Sequence, residues 1–143
     1  MIYEFASPGW MAFMHGIIAG RIADLGDAAR DLNFSICEVF TDPPASLSPT
    51  GEPLAWHCVI RNGEVMFGAS DREDVEVRVV ADYASILPLA RYDHARGDPA
   101  GAADIAAQGQ ALRASGKLVV NGARAERDPR VGNLHDPIAR VTA

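Results

Sequence analysis

The sequence contains few of the residues that build crosslinks or metal sites. Among 143 residues there are two cysteines, Cys37 and Cys58, which are too few for the disulfide framework of a small secreted domain. The four histidines are scattered, no Cys-x-x-Cys motif occurs, and no histidine and carboxylate residues have zinc-ligand spacing. The sequence therefore predicts no metal, no cofactor and a cytoplasmic compartment that keeps both thiols reduced.

Basic charge and long apolar runs are also scarce. Thirteen basic residues, of which Lys117 is the only lysine, stand against nineteen acidic ones and leave a net charge of -6. Because a polyanion would be repelled, nucleic acid is not an expected partner. No run approaches the roughly 18 consecutive apolar residues of a membrane span, and no basic signal-peptide region is recognised at the N-terminus. The abundance of arginine and alanine is associated with GC-rich bacterial genomes.

The remaining composition is that of an ordinary globular protein, with 48% apolar and 22% charged residues. The length suits one domain over residues 1–143. Ser7-Pro8 supplies an N-cap and a first-turn proline, so a helix is predicted from there to Gly26, with apolar residues at intervals of three and four. From Leu32 the period changes to two, which predicts a strand whose apolar face is interrupted by Glu38.

A β-hairpin is the clearest local feature. Asn62-Gly63 lies between two apolar runs and favours a two-residue type I′ turn, which pairs Arg61 with Glu64 and Cys58 with Phe67. The core face of this hairpin is predicted to carry Trp56, Cys58, Ile60, Val65 and Phe67. The segment 41–53 before the hairpin is dense in Pro, Ser and Gly and is predicted to be a long surface loop.

The second half of the chain adds strands and helices without a regular βαβ alternation. A strand is predicted over 75–80, followed by a short helix that Asp82 caps and Pro88 kinks or ends. Asp98-Pro99 opens another helix, which stops before Gly116-Lys117. That Gly-Lys pair is not a phosphate-binding loop, because a helix precedes it and a strand follows it.

The tail contains two Asp-Pro helix starts, Asp128-Pro129 and Asp136-Pro137, and is predicted to form a small helix that lies back on the sheet. Five strands and about five helices are then expected, with the helices at both ends of a hairpin-rich sheet. This order predicts an α+β sandwich with the helices on one face.

The inventory of catalytic residues is thin, and none is assigned. His57 and Cys58 are neighbours on one strand, so their side chains point to opposite faces and cannot pair directly. The pairs Asp93/His94 and His135/Asp136 lie in a loop and at a helix start. There Asp serves as a cap and His is a solvated side chain, so we interpret both pairs as structural.

Taken in order, several segments resemble the sterol carrier protein 2 (SCP2) family in its bacterial stand-alone form. They are SPGWMAF (7–13), WHCVIRNGEVMFG (56–68), VEVRVVADYASIL (75–87), ASGKLVVNG (114–122) and LHDPIA (134–139). The resemblance covers most of residues 5–140 and implies a five-stranded, mainly antiparallel sheet with helices on one side. It also implies an apolar tunnel between the layers for sterols, fatty acyl chains or other lipids. The sequence departs from the family pattern in an expanded loop 42–53, a long region 93–114, and Ala123 where an acidic residue often follows the last strand.

The resulting hypothesis is a non-enzymatic protein that binds or carries a hydrophobic ligand, with no catalytic residue and no metal. The residues predicted to line its cavity, all on inward faces, are Phe34, Ile36, Trp56, Val77, Leu87, Ile105, Leu112, Leu118, Val120, Leu134 and Ile138.

Three alternatives remain open from the sequence. One is a structural or interaction protein whose tunnel is filled by its own side chains and which forms a homodimer through Val59, Met66 and Val119. Another is an accessory factor that holds a prenylated quinone precursor for its enzymes. The third is a small isomerase-like enzyme that uses one of the two Asp/His pairs.

Overall fold

The fold is built from four α-helices, one 3-10 turn and five strands among the residues that the computed structural model describes, 1–122 and 129–143. The helices are α1 (Pro8–Leu25), α2 (Tyr83–Ala90), α3 (Pro99–Ala114) and α4 (His135–Ala139), and the 3-10 turn (Gly26–Ala29) follows α1. The strands are β1 (Phe34–Thr41), β2 (Leu54–Arg61), β3 (Glu64–Gly68), β4 (Val77–Asp82) and β5 (Leu118–Asn121). Within the described ranges, every helix is too short or too polar to cross a membrane.

The five strands form one sheet in the order β3-β2-β1-β4-β5. Only β1 and β4 run parallel, and the other three neighbouring pairs are antiparallel. The predicted α+β class with a mainly antiparallel sheet is therefore confirmed. The hairpin register is confirmed as well, since Arg61 pairs with Glu64 and Cys58 with Phe67.

Local sequence signals account for the starts of α1, α2 and α3. The side chains of Ser7, Asp82 and Asp98 each accept a hydrogen bond from a backbone N–H three residues later, as predicted for N-caps. Three boundaries differ from the prediction. β1 begins at Phe34 rather than at Leu32. β4 begins at Val77 rather than at residue 75. Helix α2 continues past Pro88 to Ala90, because a proline this close to the helix end removes only one backbone hydrogen bond.

An apolar core lies between the sheet and the helices. Its sheet side includes Phe40, Trp56, Ile60 and Leu118, and its helix side includes residues of α1 such as Met14. An aromatic cluster closes one part of this core, where the ring of Phe5 lies 5.1 Å from Trp10, 4.7 Å from Phe40 and 5.1 Å from Tyr83. All four rings are at most 5% exposed. The face of the β2–β3 hairpin that carries Trp56 and Ile60 therefore faces the core, as the predicted register required.

The two chain ends are held together beside α1. Tyr3 forms a parallel bridge with Thr142. The indole Nε1 of Trp10 donates to the Thr142 hydroxyl at 2.9 Å, and the Tyr83 hydroxyl donates to the Phe5 carbonyl at 2.7 Å. Buried polar groups at this end of the molecule therefore find partners within the chain.

The far face of the sheet is covered in part by the segment 69–76. The carbonyl of Ser70 lies 2.8 Å from His57 Nδ1, and Arg78 binds Asp71 through two contacts of 3.0 and 2.6 Å. The thiol of Cys37 lies 3.4 Å from the same Asp71 carboxylate, and its pKa is raised by burial. The segment around Asp71 is therefore packed on this face.

The two cysteines lie on opposite faces of the sheet, and both are free. Cys58 belongs to the apolar core, where burial raises the pKa of its thiol to about 11. The register places Val59, Met66 and Val119 on the far face. Val59 is 2% exposed, while Met66 and Val119 are 57% and 41% exposed on the two edge strands, so the three do not form one patch.

Candidate functional site

The candidate site is the space between the sheet and the helices. The pairing register places six of the eleven predicted lining residues on the helix side of the sheet: Phe34, Ile36, Trp56, Val77, Leu118 and Val120. Three of the remaining five, Leu87, Leu112 and Leu134, pack against the core from the helices and the tail, and Ile138 is part of the core. Ile105, on α3, is partly buried and lies outside the core cluster.

The degree of burial divides these residues into two groups. Trp56, Val77, Leu118 and Ile138 are at most 8% exposed. The other seven keep more accessible surface, although most of them lie on the covered side of the sheet or face it. A fully closed sandwich would enclose such apolar side chains, so the layer is incompletely closed around them.

The placement of the helices agrees with an incompletely closed layer. Helix α1 packs mainly against β3, α2 against β4 and α3 against β5. None of the residues of α3 is fully buried. Helix α3 contacts α2 near Gly109, where a Cβ would lie 3.4 Å from the side chain of Leu89. The central strand β1 is therefore not one of the strands that the helices approach most closely.

Glu38 is a polar residue at the centre of this layer that the sequence analysis did not assign to the site. It lies on β1, on the helix side, between Trp56 of β2 and Val79 of β4. It keeps some accessible surface, as a residue that faces an incompletely closed layer does, yet its depth in the protein raises the pKa of its carboxyl group to about 7. The signal was present in the sequence, since Glu38 interrupts the apolar face that runs from Phe34 to Phe40.

Trp56 is the second unusual residue of this layer. It is 4% exposed, and its indole Nε1 is buried with no hydrogen-bond partner in the part of the chain that the structure describes. Its ring stacks on Phe67 at 5.7 Å, and Phe67 stacks in turn on His15 at 4.8 Å. This stack fixes the orientation of the indole without satisfying its N–H group.

A groove of about 220 Å³ opens at one end of β1 and β2. Phe34 is the only predicted lining residue among those that line it, and the charged residues Arg61, Asp74 and Glu76 also contribute. Its lining is too polar to match the apolar site that was predicted. The groove is therefore distinct from the layer that holds Glu38 and Trp56.

The two Asp/His pairs are brought together where the loop after α2 meets α4. The rings of His94 and His135 are 5.5 Å apart, and His135 Nε2 lies 2.8 Å from the carbonyl of Tyr92. Asp93 accepts a hydrogen bond from Arg140 at 2.6 Å, and this arginine holds the pKa of Asp93 below its usual range.

Asp136 differs from the predicted cap. It is 4% exposed and accepts hydrogen bonds from the backbone N–H of His94 at 2.9 Å and from Asn133 Nδ2 at 2.6 Å. The cap predicted for Asp136 was wrong, because this carboxylate ties the loop 92–94 to the tail. Ala123, where the sequence departs from the family pattern, and the helix start predicted at Asp128 lie outside the described residues.

Comparison with known proteins gives matches among solved structures. No family model and no curated protein matches the sequence. A conserved hypothetical protein of Thermus thermophilus, described as a candidate sterol carrier protein, has a similar structure with a TM-score of 0.52 and 15% identity. The match covers 96% of this chain and 88% of that chain.

Two further structures are similar at lower TM-scores. A crystal structure of sterol carrier protein 2 has a TM-score of 0.46 and 12% identity over 96% of both chains. A UbiJ-SCP2 ubiquinone synthesis protein has a TM-score of 0.42 and 21% identity over 92% of both. We base the assignment on the Thermus thermophilus structure, and at 15% identity it concerns the fold. The resemblance predicted from the sequence is thereby confirmed at the level of the fold: the chain has the fold of this possible sterol carrier protein.

Proposed function

We propose that the protein binds and carries a hydrophobic ligand between its sheet and its helices. The proposed lining residues are Phe34, Ile36, Trp56, Val77, Leu87, Ile105, Leu112, Leu118, Val120, Leu134 and Ile138. The observation that supports this proposal best is the incomplete closure of the apolar layer around residues such as Leu112 and Val120, which keep accessible surface while they pack against the core. The fold is in keeping with this function, because a structural neighbour of the protein is described as a possible sterol carrier protein.

Apolar transfer supplies the affinity in this proposal. Each methylene group of a lipid chain that leaves water contributes about 0.8 kcal/mol, so ten buried groups contribute on the order of 8 kcal/mol. Part of this free energy offsets the freedom that the ligand loses on binding. No catalytic group is required, since the ligand leaves the site unchanged.

Helix α3 is the element whose movement admits the ligand at the lowest cost. It has no fully buried residue, and its sequence PAGAADIAAQGQALRA is rich in alanine and glycine, whose small side chains bury little apolar surface. Elements with few buried apolar contacts open more readily than the core of a domain. We therefore place the entry between α3 and the β5 edge of the sheet.

The test is uptake of the neutral fluorescent probe N-phenyl-1-naphthylamine, with native mass spectrometry and lipid extraction of the purified protein. Leu112→Asp places a charge in the proposed site and is expected to weaken uptake more than about tenfold, since an unpaired charge is costly in an apolar environment. Ala107→Asp is the matched control, because Ala107 is an exposed residue of the same helix.

Each outcome of this experiment is decisive. A co-purified lipid, and loss of uptake in Leu112→Asp with uptake kept in Ala107→Asp, support the proposal. A folded Leu112→Asp protein with unchanged uptake contradicts it. An empty, dimeric protein that takes up no probe contradicts it too, and would favour the interaction protein.

A further inference from the structure

Glu38 and Trp56 form a polar pair in the apolar layer between sheet and helices. They are directly opposite each other in the antiparallel pairing of β1 with β2. Side chains at such positions leave the same face of the sheet, with Cβ atoms about 5 Å apart. The carboxyl group of Glu38 and the indole of Trp56 therefore start from neighbouring points of one surface.

Neither polar group has a partner in the part of the chain that the structure describes. The Nε1 atom of Trp56 is buried without a hydrogen-bond acceptor. The pKa of Glu38 is raised by burial alone, with no hydrogen bond or neighbouring charge contributing to it. Buried polar groups in native proteins are nearly always hydrogen-bonded, and leaving one unsatisfied is costly.

Other aromatic donors of the same core do have partners. Trp10 Nε1 donates to Thr142, and the Tyr83 hydroxyl donates to the Phe5 carbonyl. The Tyr92 hydroxyl is also unsatisfied, but Tyr92 lies outside the core cluster, on the loop after α2. An apolar residue at position 38 or 56 would avoid the free-energy cost of a polar group without a hydrogen bond in this layer. The presence of both polar residues is therefore better explained by a hydrogen-bonding partner that comes from outside the chain.

We infer that Glu38 and Trp56 bind the polar end of the lipid and that this end is an uncharged hydroxyl group; this inference rests on the lipid-binding function proposed above. A hydroxyl group is both a donor and an acceptor. It can donate its hydrogen to the carboxyl group of Glu38 and accept the N–H of Trp56 with the same oxygen atom. The hydrocarbon part then lies along the apolar side chains.

Other head groups fit the pair less well. A carboxylate would place a second negative charge beside Glu38, which is unfavourable in a buried environment. An ester or a bare hydrocarbon has no hydrogen to donate to Glu38, and an ammonium group has no lone pair for Trp56. The pair therefore favours long-chain alcohols and other hydroxylated lipids over fatty acids.

The experiment is displacement of bound N-phenyl-1-naphthylamine at pH 8 by n-dodecanol, dodecanoate and methyl dodecanoate. These competitors have the same chain and differ at the polar end. The alcohol is expected to compete about tenfold better than the other two, the effect of about one hydrogen bond to a charged group. Glu38→Leu and Trp56→Phe are each expected to abolish this advantage, which is measured as the ratio of the alcohol's competition to that of the ester in the same variant. Glu64→Gln, at an exposed position of β3, is the control and is expected to keep the advantage.

The outcomes separate this inference from the proposed function. If the probe binds but the alcohol has no advantage, or keeps it in folded Glu38→Leu, the inference is overturned and lipid binding stands. If neither wild type nor any variant binds the probe or a competitor, lipid binding itself fails, and the inference fails with it. Circular dichroism establishes that each variant is folded before its binding is compared.

Discussion

The two faces of the sheet treat their polar residues in opposite ways. On the far face, the polar side chains of Cys37, His57 and Arg78 all have partners in the segment 69–76. On the helix face, Glu38 and Trp56 have none among the described residues. A face that pairs its own polar groups is structural, whereas a face that leaves one buried donor unsatisfied beside a carboxyl group without a hydrogen bond among the described residues has room for a partner. The difference in hydrogen bonding between the two faces therefore places the candidate site on the helix face, as the apolar side chains there also do.

The largest expected difference between the faces is one of stability. Phe40, on the helix face, is 1% exposed and packs 4.7 Å from Phe5. Phe40→Ala is expected to lower the free energy of unfolding by about 3–5 kcal/mol, because the cavity cannot be filled completely. Val119→Ala, on the far face at 41% exposure, is expected to change it by less than about 0.5 kcal/mol. Urea unfolding measures both values, and similar effects of the two substitutions would contradict the proposed division.

The next effect concerns the pH dependence of stability. The pKa of Glu38 is raised from 4.5 to about 7, so the folded state holds its proton more tightly than the unfolded state does. The contribution of protonated Glu38 to the free energy of unfolding is therefore fully present below pH 4.5 and is lost as the pH rises through 7. The loss amounts to about 3 kcal/mol. Glu38→Gln is expected to match the wild type near pH 4.5 and to be more stable at pH 8.

Urea unfolding from pH 4.5 to 8 measures this dependence. Glu64→Gln serves as the control, because Glu64 is exposed and the substitution removes an equal charge. If the wild type and Glu38→Gln proteins lose stability in parallel between pH 4.5 and 8, Glu38 is not the buried acid that the structure indicates. The comparison requires no ligand, so it is independent of the proposed function.

Local chemistry explains why parts of the fold could be predicted from the sequence. Asn62-Gly63 determines the hairpin turn, and the caps at Ser7, Asp82 and Asp98 depend on hydrogen bonds within three residues. The parallel pairing of β1 with β4 could not be predicted in this way. It joins strands that are far apart in the chain, and alternation of apolar residues does not indicate which strands become neighbours.

The residues of the candidate site likewise divide into those that could be predicted from the sequence and those that could not. Alternation placed Trp56 and Val120 on the helix side of the sheet, where the pairing register has them. The sequence showed Glu38 only as an interruption of the apolar face of β1, because the alternation of apolar residues cannot distinguish a functional polar residue from an irregularity. Ile105 lies on the alanine-rich helix α3, whose apolar stripe is weak, so its position outside the core cluster could not be predicted from periodicity.

The smallest expected effect tests the structural role of the far face. Asp71→Asn removes the charge that binds Arg78 and contacts Cys37. The Asp71 side chain is 44% exposed, so solvent screening limits the loss of stability at pH 7 to about 1 kcal/mol or less. Arg78 holds the pKa of Asp71 below its ordinary 3.8, so this contribution is present above that pH and is lost as the pH falls, the opposite direction to Glu38. Urea unfolding at pH 7 and pH 3 is expected to show a difference between wild type and Asp71→Asn that shrinks in acid. Probe uptake is expected to be unchanged, because Asp71 lies on the face of the sheet opposite the proposed site. A loss of uptake as large as that of Leu112→Asp would show that the far face takes part in ligand binding, and its paired polar groups would then not be purely structural.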